Sequence, residues 1–276
     1  MQSATKPRTI IVTGANKGIG YEIVKGLYSD QNSYSIILTS RNLELGQEAK
    51  NKIIESFPNS KNKIEVYQLE VNEPKSVEKF VTWIKDTIHK VDVLVNNAGY
   101  GYNKPSLEDS LLTLQTNYFS LVQLTEKLLP FLSEDGKIIQ ISSGAGNLKN
   151  QGEKIKEKLS DPNLTKESLT TIAEDLFENT KSRKVVDLGW NEQAYHNSKC
   201  LLNAYTRWVL PTLLKGNQQC YSCTPGYCRT DMTSPDATLS AEEGAQTAIF
   251  LVKLPFVKDE VFHTKFFRNN KCESYD

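Results

Sequence analysis

The chain has 276 residues, 38% of them hydrophobic and 24% charged, enough for one large α/β domain or two small ones. Its 33 basic and 33 acidic side chains cancel, so no basic excess is there to hold a phosphate backbone, and nucleic-acid binding lacks electrostatic support. No apolar run approaches the ~20 residues that span a bilayer, so no membrane partner is expected.

The opening stretch MQSATKPRTI has no signal-peptide core. RTIIVTG (8–14) reads as a buried strand, and TGANKGIG (13–20) then opens a helix over 18–29. Gly14, Gly18 and Gly20 permit a tight turn, close approach of backbone to a diphosphate, and close helix packing. The helix N-terminus adds free N–H groups and its dipole for an anion. A glycine cluster alone also describes a tight turn with no ligand; the strand–turn–helix setting is what a nucleotide site requires. The second strand, YSIILTS (34–40), runs into LTSRN. A site that prefers NAD places Asp or Glu there to accept from the ribose hydroxyls. Here Ser40, Arg41 and Asn42 stand instead, with no carboxylate before Glu44. Arg41, with Lys17 in the glycine turn, can neutralise a 2′-phosphate, so NADP(H) is favoured. Either cation alone is an ordinary solvated residue; their joint placement carries the reading.

Helical periodicity over 43–57, 74–88 and 106–129 alternates with strands IEVYQLEV (64–71), VDVLVNNAG (91–99) and GKIIQISS (136–143). Pro74 sits just inside a helix start. Alternating β and α predicts a single α/β domain over 1–276: a Rossmann-type doubly wound parallel sheet of about seven strands, with right-handed crossovers and helices on both faces. After Ser143 the rhythm breaks for about fifty residues, with an insertion placed at about 147–190. Within it, TKESLTTIAEDLFENT has Thr165 as a cap, then Leu169, Ile172, Ala173, Leu176 and Phe177 at helical spacing. The charged stretch before it, QGEKIKEKLSDPN, reads as partly mobile.

A helix over 193–213 begins AYHNSK, which places Tyr195 and Lys199 on one face. The same spacing occurs at Tyr21/Lys25 and Tyr100/Lys104, and about one chance match is expected in a chain with 12 Tyr. Context separates them. Tyr21 lies on the first helix with no upstream strand-end Ser, and Tyr100 lies in a glycine-bearing loop. YSCTPG (221–226) is the next strand, followed by a helix over 240–252 and a last strand, VFHTKFF (261–267). Cys220 and Cys223 form a C-x-x-C, but no second pair or paired His accompanies it, so alternation along a strand is preferred to zinc and no metal is expected. The five Cys, at 200, 220, 223, 228 and 272, are odd in number and scattered, and the end KCESYD is no evident targeting tail. A reduced cytoplasm is the expected compartment.

With TGANKGIG, NNAG at 96–99 and YHNSK at 195–199, nearly the whole chain resembles the short-chain dehydrogenase/reductases. It is most similar to their monomeric carbonyl reductase branch, supported by VDVLVNNAG, LQTNYFS, ISS, GWNEQAYHNSK and TPGYCRTDM. The Ser143-to-Tyr195 gap of 52 positions, short in ordinary members, points to the same branch. The resemblance implies a catalytic tetrad of Asn117, Ser143, Tyr195 and Lys199, with Ser143 and Tyr195 also holding the substrate. It implies cofactor contacts from Asn16 and Ile19 in the glycine turn, from Asn97, Ala98 and Gly99, and from Tyr195 and Lys199. Pro225 and Gly226, then Cys228, Arg229 and Thr230, would meet the nicotinamide end. Glu70, with Val71, stands where the family has an acid on the adenine side, as Glu rather than Asp. Cys228 replaces a small aliphatic residue, which raises the question of oxidation.

The expected reaction is NADPH-dependent reduction of a small-molecule ketone or aldehyde. It needs a hydride at carbon and a proton at oxygen. An ordinary Tyr, with a pKa of about 10, is a poor acid–base group near neutrality. A Lys199 ammonium one turn away, with the nicotinamide cation formed in turnover, is expected to lower it. Ser143 is expected to donate to the substrate oxygen, and Asn117 to hold a water beside Lys199. Singly, a strand-end Ser is a turn residue and an Asn is satisfied by backbone; order and spacing join them. A non-catalytic NADPH-binding sensor on the same fold stays as the alternative; the lack of an acid after the second strand argues against an alcohol-oxidising enzyme using NAD. The inserted helix is expected to cover the surface that pairs subunits elsewhere in the superfamily, giving a monomer. Segments 100–105 and 231–240 are expected to wall the substrate pocket.

Overall fold

A computed structural model of the chain describes residues 6–101, 105–233, 235–257 and 259–276. Its strands are β1 (Arg8–Val12), β2 (Tyr34–Ser40), β3 (Lys63–Gln68), β4 (Val91–Asn96), β5 (Leu132–Ile141), β6 (Gln219–Cys223), β7 (Phe266–Arg268) and β8 (Lys271–Glu273). The helices are α1 (Gly18–Tyr28), α2 (Leu43–Ser56), α3 (Pro74–Trp83), α4 (Leu107–Leu114), α5 (Leu121–Leu128), α6 (Glu153–Ser160), α7 (Lys166–Lys181), α8 (Ala194–Ala204), α9 (Leu210–Leu213) and α10 (Ala241–Lys253). Single π-helical turns extend α3, join α4 to α5 and join α8 to α9.

The sheet order is β3-β2-β1-β4-β5-β6-β7-β8, parallel from β3 to β7. β1 pairs with both β2 and β4, so consecutive crossovers leave on opposite faces there and open a crevice at the strands' carboxyl ends. The strands alternate their apolar side chains between two cores. Ile10, Val12 and Ile36 pack under α1, α2 and α10; Ile11, Leu94 and Ile138 pack under α3, α5 and α8. Cys220 and Cys223 obey the same alternation and enter opposite cores, so the C-x-x-C cannot clasp one ion.

Two expectations need correction, and the seven expected strands gain a short eighth. β8 returns antiparallel to β7 through Asn269 and Asn270, both at positive φ, the geometry of a two-residue hairpin loop. The last parallel strand is Phe266–Arg268, while residues 261–264 form turns. The charged stretch before Thr165 is helix α6, because Ile155 and Leu159, one turn apart, are buried while its charges face outward. Thr165 does cap α7, its hydroxyl accepting from the Ser168 N–H at 3.1 Å.

α6 and α7 pack over the α4–α5 and α8 layer. Leu159, Leu169 and Leu176 are fully buried, each burial contributing roughly 1.5–3 kcal/mol. Phe177 meets Phe119 edge-on, Lys166 pairs with Glu126 at 2.6 Å, and the Trp208 indole donates to the Leu159 carbonyl at 3.0 Å. No helix among the described residues is long and apolar enough to cross a membrane.

Candidate active site

The crevice begins at the turn after β1. The Thr13 hydroxyl accepts from the N–H groups of Asn97 and Ala98, both at 2.9 Å. The Asn97 amide donates back to the carbonyls of Thr13 and Gly14. The ends of β1 and β4 are thereby tied, and Asn97 acts as a brace between them. A Cβ at Gly20 would sit 2.4 Å from the Asn97 amide nitrogen and 2.8 Å from the Gly14 carbonyl oxygen, so this approach admits only glycine. Lys17 holds the N-cap position of α1 but its side chain makes no cap hydrogen bond, leaving first-turn N–H groups open to an anion. Asn16 and Ile19 flank the turn half-buried.

At the end of β2, Arg41 is exposed and has no ion pair among the described residues. Lys17 is differently placed: its Nζ lies 2.5 Å from Asp231. Beyond β3, the Glu70 carboxylate accepts from the Asn72 N–H at 3.3 Å, and Val71 is buried. The glycine cradle, the uncapped helix start and the exposed Arg41 fit a phosphorylated dinucleotide.

Ser143 follows β5 in extended conformation and accepts from the Ala145 N–H. Its hydroxyl faces the Tyr195 phenol from the first turn of α8. Lys199, one turn on, is buried, and its ammonium donates to the Ile141 carbonyl at 2.8 Å. That ammonium lies 5.8 Å from the Tyr195 ring centre. Burial pushes the phenol above its ordinary value, and the Ser143 hydroxyl opposes this. Burial also pushes Lys199 down to about 8, countered by the nearby Cys223.

Asn117 sits in the π-helical turn between α4 and α5, fully buried. Its carbonyl oxygen accepts from the Tyr100 N–H at 2.8 Å, and its amide donates to the Tyr100 carbonyl at 2.9 Å and to Ser198 Oγ at 3.1 Å. It ties the Gly99–Gly101 loop to the Tyr195 helix. Ser198, whose hydroxyl donates to the Tyr195 carbonyl at 2.8 Å, completes the tie. Nothing in local spacing marks Ser198.

The loop after β6 closes the site. Gly226 has φ +80 after Pro225. Cys228 is buried, donates its thiol to the Pro225 carbonyl at 3.0 Å, and burial pushes it above its ordinary value, away from the reactive thiolate. The Arg229 guanidinium donates to the Ala237 carbonyl at 2.8 Å. The Thr230 methyl approaches Gly18. Met232 reaches over Gly99 and Gly101, and Gly101 also meets the Tyr195 ring. Met232 falls within the expected wall segment 231–240; residues 102–104 and 234 of the two wall segments lie outside the described residues. Of the rival pairs, Tyr100 donates its hydroxyl to Asp109. Its partner Lys104 is among the residues not described.

A family model described as short chain dehydrogenase matches residues 8–155. The chain is 34% identical over 282 residues to short-chain dehydrogenase/reductase 1 of Saponaria officinalis, covering 90% of each chain. It is 30% identical to carbonyl reductase [NADPH] 1 of Mus musculus, covering 99% of this chain and 100% of that one. Among solved structures, salutaridine reductase from Papaver somniferum superposes with a TM-score of 0.82 at 29% identity, covering 94% of this chain and 99% of the other.

Proposed function

The chain belongs to the short-chain dehydrogenase/reductases as a carbonyl reductase-like, NADP-dependent oxidoreductase, and we propose that it reduces a ketone or aldehyde to the alcohol with Tyr195 as the proton donor. The observation that carries this reading is the convergence of Ser143, Tyr195 and Lys199 at the carboxyl end of β5: the Ser143 hydroxyl faces the Tyr195 phenol, and the Lys199 ammonium, held by the Ile141 carbonyl, lies 5.8 Å from the Tyr195 ring centre.

NADPH, when bound, supplies the hydride. The glycine turn and the start of α1 hold its diphosphate, Arg41 and Lys17 its 2′-phosphate, and Glu70 and Val71 the adenine side. Ala98, Gly99, Pro225, Gly226 and Thr230 line the nicotinamide end, and Lys199 holds the ribose. The Ser143 hydroxyl and the Tyr195 phenol meet the substrate oxygen and polarise the carbonyl. As charge develops on that oxygen, Tyr195 gives it the phenolic proton. Reduction requires a protonated Tyr195 at neutral pH, and burial keeps it so. An alkoxide is more basic than a phenolate, so the transfer runs downhill. The Lys199 ammonium stabilises the phenolate left behind until solvent reprotonates it. Asn117 and Ser198 act by positioning: they hold the Gly99–Gly101 loop and the Tyr195 helix in one frame.

NADPH consumption against a panel of quinones, aromatic ketones, cyclic ketones and aldehydes, with NADH in parallel, tests the function. The expected outcome is turnover on at least one class with preference for NADPH. Binding of NADPH with no turnover on any class would establish a sensor instead, and preference for NADH would remove the roles of Lys17 and Arg41.

The cover of α6 and α7 over α4, α5 and α8 supports a monomer, through Leu159, Leu176 and the Lys166–Glu126 pair. Sedimentation at micromolar protein is expected to give one species of 31.1 kDa; a dimer would overturn this. A cytoplasmic location fits five cysteines that are all free, and recovery of the activity with membranes on cell fractionation would count against it.

A further inference from the structure

We propose that Asp231 is a cofactor-selectivity residue whose carboxylate competes with the 2′-phosphate of NADPH for Lys17. The inference rests on the reading that Lys17 and Arg41 together meet that phosphate.

Lys17 and Asp231 are 214 positions apart in the chain, yet their charged atoms lie 2.5 Å apart across the mouth of the crevice. The backbone that carries Asp231 is held on both sides. Thr230 packs toward Gly18, and its N–H donates to the Thr233 hydroxyl at 3.0 Å, which in turn donates to the Cys228 carbonyl. Met232 packs over Gly99 and Gly101. The carboxylate is thus delivered to Lys17 by a braced loop. Lys17 holds the Asp231 carboxyl below the ordinary carboxylate range, so Asp231 is a carboxylate at neutral pH.

The second cation at the same end of the crevice, Arg41, carries no such tethered anion among the described residues. The two cations are therefore unequal. Arg41 is free to meet a phosphate at once; Lys17 must first leave a carboxylate. A ligand without the 2′-phosphate has no reason to draw Lys17 away, so the competition falls on the phosphorylated cofactor alone. Both side chains are mostly exposed, 64% for Lys17 and 77% for Asp231, so the effect is that of a surface ion pair and weakens with salt. Asp231 thus tempers the grip on NADP(H) and speeds its release while leaving Arg41 to set the preference.

Calorimetry with two probes that lack the nicotinamide, 2′,5′-ADP and 5′-AMP, isolates this contact. Asp231→Asn is expected to bind 2′,5′-ADP about two- to fivefold more tightly at low salt, with 5′-AMP unchanged. The gain should shrink in high salt and vanish in a Lys17→Met background. An Asp231→Asn variant that binds 2′,5′-ADP no better, or gains equally on 5′-AMP, overturns the inference. The underlying reading is tested separately: Lys17→Met alone should weaken 2′,5′-ADP and not 5′-AMP. If it does so while Asp231→Asn has no effect, the phosphate role of Lys17 stands and the competition falls. If it changes neither ligand, both fall.

Discussion

Tyr195→Phe is expected to lower kcat for carbonyl reduction by about 10²–10⁴-fold while NADPH binding stays within about twofold. The phenol is the proposed acid, set in the first turn of α8 beside Ser143, with the Lys199 ammonium 5.8 Å from its ring centre. Removing only its oxygen keeps the ring against Gly101, so packing survives and the proton donor is lost. Ser143 would remain to polarise the carbonyl, which is why the expected rate is small rather than zero. Single-turnover kinetics for the chemical step, with fluorescence titration for the cofactor, separate the two effects. Wild-type turnover in this variant would remove Tyr195 from the mechanism.

The second large effect is expected at Gly146, a residue that touches neither cofactor nor substrate. A Cβ there would lie 2.5 Å from the Lys199 carbonyl carbon, 2.7 Å from its oxygen and 2.8 Å from the Cys200 nitrogen. These are backbone atoms of the Tyr195 helix, so nothing can swing aside. Gly146 also donates its N–H to the Ser143 carbonyl and accepts from the Asn203 amide. The serine loop and the tyrosine helix therefore meet directly at Gly146. Gly146→Ala is expected to cost about 1–3 kcal/mol of stability as overpacking. It should also lower kcat/KM by about 10²-fold, because a displacement near 1 Å between Ser143 and Tyr195 spoils their shared aim at one oxygen. Urea unfolding and steady-state kinetics measure both. Full activity with unchanged stability would mean that this contact is slack.

These two residues differ in how readily the chain reveals them. Tyr195 is legible because its signals are local or ordered along the chain: helical spacing to Lys199, an upstream glycine turn and a strand-end Ser143. Gly146 has no such signal. Its requirement is a contact with Lys199, 53 positions away, and only packing creates it. Asn117 shows an intermediate case. Its place in the chain marks it, but its amide is committed to the Tyr100 backbone and Ser198, which no spacing could foretell. α6 was obscured because six of its eight residues are charged or polar and two buried apolar side chains make a weak stripe.

By itself the sequence determined the alternation of strands and helices, the glycine turn, the Thr165 cap and the helical pairing of Tyr195 with Lys199. Those features rest on periods of 2 and 3.6 residues and on side-chain chemistry, which act over a few positions. Only the tertiary structure decided that Lys17 faces Asp231, that Asn117 braces a loop, that Ser198 joins the brace and that burial raises Tyr195. Each of these depends on desolvation or on groups far apart in the chain, which meet because crossovers from β1 leave on opposite faces of the sheet and draw distant loops to one edge.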